Sequence, residues 1–302
     1  MSRFGKEVDK PEYDGPTGDS FGTDGELDFS VDFYGEAPVS DNLEHISKSR
    51  IKTFLKCERK FAMKYLAGQR ADQNFYMERG SAVHDAFEKF HQNLEAYIAA
   101  NKEPPRSFTE LMPPAADWFQ HLKFIGPFFE WELSRWRAAC ENTDSFEEAL
   151  EVWKPHSVEV SLTIDEPPVG SLPWLGPYDC LVDARSVPSV DTNDGLVVID
   201  YKTGSIPDKK EWADEGIHVD LEFYAWMLEL EEFDVAAGIG MYPSEDENVV
   251  REIPNQDIRD TITEVVEYLH SSSATRSDYP TSPQPLCDWC MFQDQCSTSW
   301  NS

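Results

Sequence analysis

The chain has 302 residues, 40% of them apolar, enough for one large domain or two modest ones with a sizeable buried core. Asp and Glu outnumber Lys and Arg by 57 to 26, a net charge of −31, which excludes a broadly basic nucleic-acid coat and requires any phosphate-facing surface to be gathered in one place. No leader-like start and no apolar stretch of bilayer length is visible, so a cytoplasmic protein without membrane contact is expected, in which clustered cysteines argue for metal rather than disulfides. The acid-rich, Lys-poor balance also suits a halophilic, high-salt cytoplasm.

Residues 1–42 carry eleven acidic and three basic side chains with no sustained period, and read as a disordered acidic tail ahead of a domain spanning 43–302. From Ser47 the spacing of Ile51, Phe54, Leu55, Phe61, Ala62, Tyr65 and Leu66 predicts a helix with Ser47 or Ser49 as N-cap. Lys48, Arg50, Lys52, Lys56, Arg59, Lys60, Lys64 and Arg70 place eight of the 26 positive charges in this segment against the single acid Glu58. In so acidic a chain that concentration reads as a stripe facing phosphates.

A second helix is predicted from about Asn74 to Ala100 through Val83, Phe87, Phe90, Leu94 and Ile98, and a third, aromatic-rich helical region over roughly 115–153. Strands follow at Ser157–Ile164, Leu175–Val187 and Gly195–Lys202. Then come a helix from His218 to Leu230, a buried strand from Val235 to Tyr242, an edge strand from Val249 to Ile253 and a helix from Gln256 to His270. Helices leading into a mixed sheet with an inserted helix make an α/β fold.

Along a strand side chains alternate, so Val198, Asp200 and Lys202 share one face. A hairpin through the polar turn at 189–195 would set Asp179 beside Asp200. Two carboxylates converging at a strand end are hard ligands for Mg2+ or Mn2+, and Lys202 would position a water or stabilise charge on a phosphate. The tripeptide alone is weak, because Glu58 to Lys60 and Asp208 to Lys210 also read acid-x-Lys; the preceding apolar strand selects 200–202. His84, after Gly80, flanks the apolar stripe of its helix and would by itself pass for a packed residue.

Cys287, Cys290 and Cys296 can share one metal, and Cys57 in the basic segment is the natural fourth ligand. Cys140 and Cys180 fall in apolar or strand contexts and read as ordinary buried thiols. Four thiolates suit tetrahedral zinc or an iron-sulfur cluster, and spacing does not separate the two.

Taken in order, the segment from Ser47 to Cys57 with Phe61 and Tyr65, Gly80 to His84, Gly176 to Asp179, Val198 to Lys202, and Cys287, Cys290 and Cys296 resemble the RecB-like branch of the PD-(D/E)XK nucleases, over residues 47–297. The iron-sulfur exonucleases of the CRISPR-associated RecB-like and AddB type are the most similar. The resemblance implies a restriction-endonuclease-like mixed central sheet flanked by helices, with a helical N-terminal part and an iron-sulfur-binding C-terminal tail. It implies that His84, Asp179 and Asp200 bind Mg2+ or Mn2+, that Lys202 is catalytic, and that the four cysteines hold a 4Fe-4S cluster, with zinc as the other occupant. It further implies DNA as partner, single-stranded and degraded from an end, 5'-to-3', in replication, recombination or repair, beside other proteins of those pathways. Arg50, Lys52, Lys56, Arg59, Lys60 and Tyr224 would contact DNA. The family usually carries Gln four residues before that Tyr, where this chain has Asp220. A DNA-binding recombination scaffold with an inactive or weakly active core, and a zinc-stapled nuclease, are the alternative expectations.

Overall fold

The computed structural model describes residues 43–67, 75–101, 103, 105–107, 110–112, 119–192, 194–204, 206, 211–245, 247–272, 279–284, 287, 290–293 and 296, with backbone alone for 211–215. The expected acidic tail and Arg70 lie outside the described residues.

Helix α1 (Lys48–Lys56) begins after Ser47, whose hydroxyl makes no cap bond; a short α2 (Glu58–Phe61) and a π turn (Ala62–Leu66) follow after a break at Cys57. Helix α3 (Phe75–Asn101) turns its stripe of Val83, Phe87, Phe90 and Leu94 inward. The expected third helical region is two helices, α4 (Leu122–Glu141) and α5 (Phe146–Trp153), separated where the Ser145 hydroxyl accepts from Glu148 N–H at 3.1 Å and starts a new helix.

Five strands follow: β1 (Ser157–Ile164), β2 (Trp174–Asp183), β3 (Leu196–Tyr201), β4 (Val235–Tyr242) and β5 (Glu247–Glu252), in spatial order 1-2-3-4-5. All neighbours are antiparallel except β3 and β4, which are parallel and joined by the crossover helix α6 (Glu211–Leu230). Strand β2 stops short of the expected Val187 because the Asp183 carboxylate accepts from Arg185 N–H at 2.9 Å and bends the chain into a single 3-10 turn. Helix α7 (Gln256–Ser271) closes the described fold, capped by Asn255.

The sheet separates two apolar clusters. Helices α1, α2, α6 and α7 cover one face, packing on Leu181 and Val198, and α3, α4 and α5 cover the other, packing on Cys180, Val197, Ile199 and Tyr201. The mixed five-stranded sheet between helices is consistent with a restriction-endonuclease-like fold. Burial on both faces explains why β3 and β4 are nearly unbroken apolar runs. Among the described residues no helix is long and apolar enough to cross a membrane.

Candidate active site

Strand register draws three carboxylates into a row. Val158 faces Cys180 and Val160 faces Tyr178, which sets Glu159 opposite Asp179; Cys180 faces Ile199, so the next step toward the strand end sets Asp179 opposite Asp200. Glu159 holds φ at 49°, a left-handed conformation that a glutamate seldom adopts. Asp179 Oδ2 accepts from the Tyr201 N–H at 2.6 Å, fixing its carboxylate against the end of β3.

His84 joins this row from α3. Its Nδ1 lies 3.4 Å from Glu159 Oε1 and 3.6 Å from Asp179 Oδ1, while Nε2 sits 3.1 Å from the Tyr201 carbonyl. Phe87, one turn on, meets the Tyr201 ring at 4.9 Å, so the buried stripe of α3 sets the height of the histidine against the sheet. Ligand atoms of His84, Glu159 and Asp179 fall within 4.8 Å of one another. Burial pushes the Asp179 carboxyl up to about 7, with the Asp200 charge adding to it and His84 and Lys48 opposing. Burial alone would lower His84, but its bond to Glu159 and the Asp179 charge raise it to about 9. Two carboxylates and an imidazole converging at a strand edge are a donor set that a hard divalent cation fits.

Asp200, 1% exposed, is turned toward ammonium groups. Lys48 Nζ donates to Asp200 Oδ1 at 2.8 Å from α1, and Lys202 pairs with the second oxygen. Burial would raise the Asp200 carboxyl, yet the charges of Lys202 and Lys48 prevail and hold it well below the usual carboxylate range. Burial opposes the charge on Lys48 and Lys202 as well; attraction to Asp200 and Asp220 overcomes it and lifts both. Asp220, fully buried on α6, accepts from Lys202 Nζ at 2.8 Å and from Lys52 Nζ at 2.6 Å. An acid where the resembled family has Gln thus joins a lysine of α1 to the lysine after β3.

The expected DNA-contacting residues divide. Arg50 donates to the His45 carbonyl and lies over the Tyr65 ring at 5.4 Å. Lys52 points inward to Asp220, and Lys56 is exposed. Arg59 and Lys60 line a cavity with the cysteines. Tyr224 departs from expectation: it is fully buried, 4.4 Å beneath Lys48 Nζ and close under Gly176, and presents no face to DNA. Its place on the apolar stripe of α6 outweighs its polar tip.

Cys57, Cys287, Cys290 and Cys296, all half-buried free thiols, line one cavity of about 70 Å3. Gln284 N–H lies 3.3 Å from Cys287 Sγ, and backbone bonds from Cys290 N–H to the Cys287 carbonyl and from Arg59 N–H to the Pro280 carbonyl hold the tail against α2. Cys180 is buried, with its thiol pushed up to about 12 by burial, but Cys140 is exposed at the end of α4 rather than buried.

Three residues of this constellation were not singled out from the sequence as site residues. Glu159 was readable only as one acid in an alternating strand; its signal is the register against Asp179. In the sequence Lys48 is one charge of the basic stripe and Asp220 an acid at the family's Gln position, and only the packing of α1 and α6 brings either to the site.

Comparison with the curated proteins returned no match. A solved structure described as "Crystal structure of SSO0001" aligns over 80% of this chain and 94% of its own at 18% identity, with a TM-score of 0.29, too low to carry an argument. The family model of the PD-(D/E)XK nuclease superfamily matches residues 45–297, a span that holds the carboxylate row, Lys202 and all four clustered cysteines, and the chain belongs to that superfamily.

Proposed function

We propose that this protein is a Mg2+- or Mn2+-dependent DNA exonuclease acting on single strands, from the 5' end, in replication, recombination or repair. The observation that carries the reading is the alignment of Asp179 and Asp200 across β2 and β3 with Lys202 beside them, inside a chain of a nuclease superfamily. His84, Glu159, Asp179 and, once released from its lysines, Asp200 would hold the ion. When bound, the ion supplies Lewis acidity to the phosphate and acidifies a water. Lys202, anchored by Asp220, keeps an ammonium where negative charge grows on the scissile phosphate. Asp179, braced by the Tyr201 N–H, orients the ligand set, and the buried face of β3 keeps it rigid.

The cysteines fit a 4Fe-4S cluster. Lys56, Arg59 and Lys60 share their cavity and would offset the negative charge of a thiolate-bound cluster.

The test is digestion of an end-labelled single strand with Mn2+ and with EDTA. Wild type should cleave only with the metal, and Asp200→Ala and Lys202→Ala should each lose about 100-fold or more in rate while remaining folded. Binding without turnover by the wild type would favour the scaffold reading instead.

A further inference from the structure

A second cavity, of about 260 Å3, lies between α1, the start of α6 and the segment 282–284. Lys52 and Lys56, one turn apart on the same helix face, form its α1 wall with Leu55, and Gly216 and Val219 form the α6 wall. Gly216 gives the lysine room: a Cβ there would sit 3.3 Å from Lys52 Cε and 3.7 Å from Nζ. Gln284 pins the third wall by donating to the Lys56 carbonyl at 2.7 Å. The cavity adjoins the active site, because Lys52 reaches Asp220, which in turn holds Lys202.

Its charge is out of character for the chain. Acids outnumber bases by 57 to 26 overall, yet among the described residues no carboxylate lines this cavity and none pairs with the Lys56 ammonium. Lys52 is paired with Asp220 beneath the wall, so Lys56 supplies the uncompensated ammonium, and a partly enclosed space with that charge and no acid among its described lining residues concentrates small anions. Its size, its donor and its place across Asp220 from Lys202 match a tetrahedral oxyanion of a nucleic-acid strand.

We propose that this cavity is a phosphate subsite that takes a strand phosphate next to the one being cut. The inference rests on the nuclease reading and extends it by naming where the strand is gripped. A terminal phosphate and an internal phosphodiester offer the same chemistry, and the substrate arms of the test separate them.

The experiment is fluorescence anisotropy of the full-length chain in EDTA, so that no cleavage intervenes, with internally labelled single-stranded oligonucleotides ending in a 5' phosphate, a 5' hydroxyl or a 3' phosphate. Lys56→Ala should weaken binding about tenfold and flatten the dependence of log K on log salt by about 0.7. Lys56→Arg should keep both. Loss confined to the 5'-phosphate oligonucleotide identifies the terminal group, and equal loss in all arms identifies an internal one; either supports the subsite. Leu55→Glu, at a rim position 41% exposed, places a carboxylate in the cavity and should weaken binding likewise, even if Lys56→Ala alters the cysteine site that Lys56 also borders. Wild-type affinity and salt slope in both Lys56→Ala and Leu55→Glu would overturn the proposal. Absence of turnover by the wild type with Mn2+ would sink the nuclease reading without moving these binding curves, so the two failures are distinguishable.

Discussion

At the scale of single residues, Asp220 is the pivot of the charge pattern. Two lysines share its buried carboxylate, and removing one partner of such a group leaves charge without compensation. Both lysines keep about a quarter of their surface, so water softens the loss. Asp220→Ala should therefore cost about 3 kcal/mol, seen as a fall of roughly 5–10 °C in melting temperature, together with a drop in kcat as Lys202 loses its anchor. An unchanged melting temperature would mean that the pair is only a surface contact. His91 offers a second test. It is buried among Tyr201, Glu132 and Arg135, and burial, with the Arg135 charge, depresses its pKa far below 6.5. A depressed group contributes stability above its unfolded pKa and loses it on acidification. Chemical denaturation from pH 7 to pH 5 should show wild-type stability falling more steeply than that of His91→Gln, with the difference approaching about 1.4 kcal/mol per pH unit below about pH 6. Parallel slopes would contradict a neutral His91.

At the scale of elements, the β2–β3 pairing carries the site, and its close packing on α6 is checkable. A Cβ at Gly176 would lie 2.9 Å from Met227 Sδ and 3.2 Å from the Tyr224 ring, so Gly176→Ala should cost about 1–3 kcal/mol and crowd Tyr224 onto Lys48. Thermal melting alongside the cleavage rate reads both effects. The cysteine closure is the other joint. Cys290→Ala should lose bound iron and raise amide exchange in α1 and α2, because ligand set and fold are coupled. Exchange unchanged after iron loss would show that the tail holds without it.

Much of this element order was legible in the sequence. Val235 to Tyr242 and Ser157 to Ile164 were readable to the residue, because apolar runs bounded by turn residues allow few alternatives. Less legible were features set by another element: the stop of β2 at the Asp183 turn, the split of α4 from α5, and the start of α6 seven residues before His218. Periodicity reports burial along one element; it does not report that Glu159 meets His84 across two others, or that Lys48 swings onto Asp200.

For the whole molecule, net charge sets conditions. At −31 the compact state repels itself, and raising KCl from about 0.1 M to about 1 M shortens the screening length from about 10 Å to about 3 Å. Melting temperature should rise over that range while affinity for single strands falls, at roughly 0.7 in log–log slope for each phosphate contact. A melting temperature that falls with salt would contradict the expectation that self-repulsion governs stability and that the charge balance suits high salt. The basic residues reconcile the two demands by crowding into one segment: Lys48 and Lys52 reach into the active site, Lys56 borders both cavities, and Arg59 and Lys60 border the cysteines. The most direct check of the central claim is a crystal structure of the chain soaked in Mn2+, with anomalous scattering recorded for manganese. The account predicts one manganese about 2.1 Å from oxygens of Asp179 and Asp200, with His84 in its coordination sphere and Lys48 displaced from Asp200. A cleavage-competent crystal with no manganese between these residues, and with Lys48 and Lys202 still paired to Asp200, would contradict it.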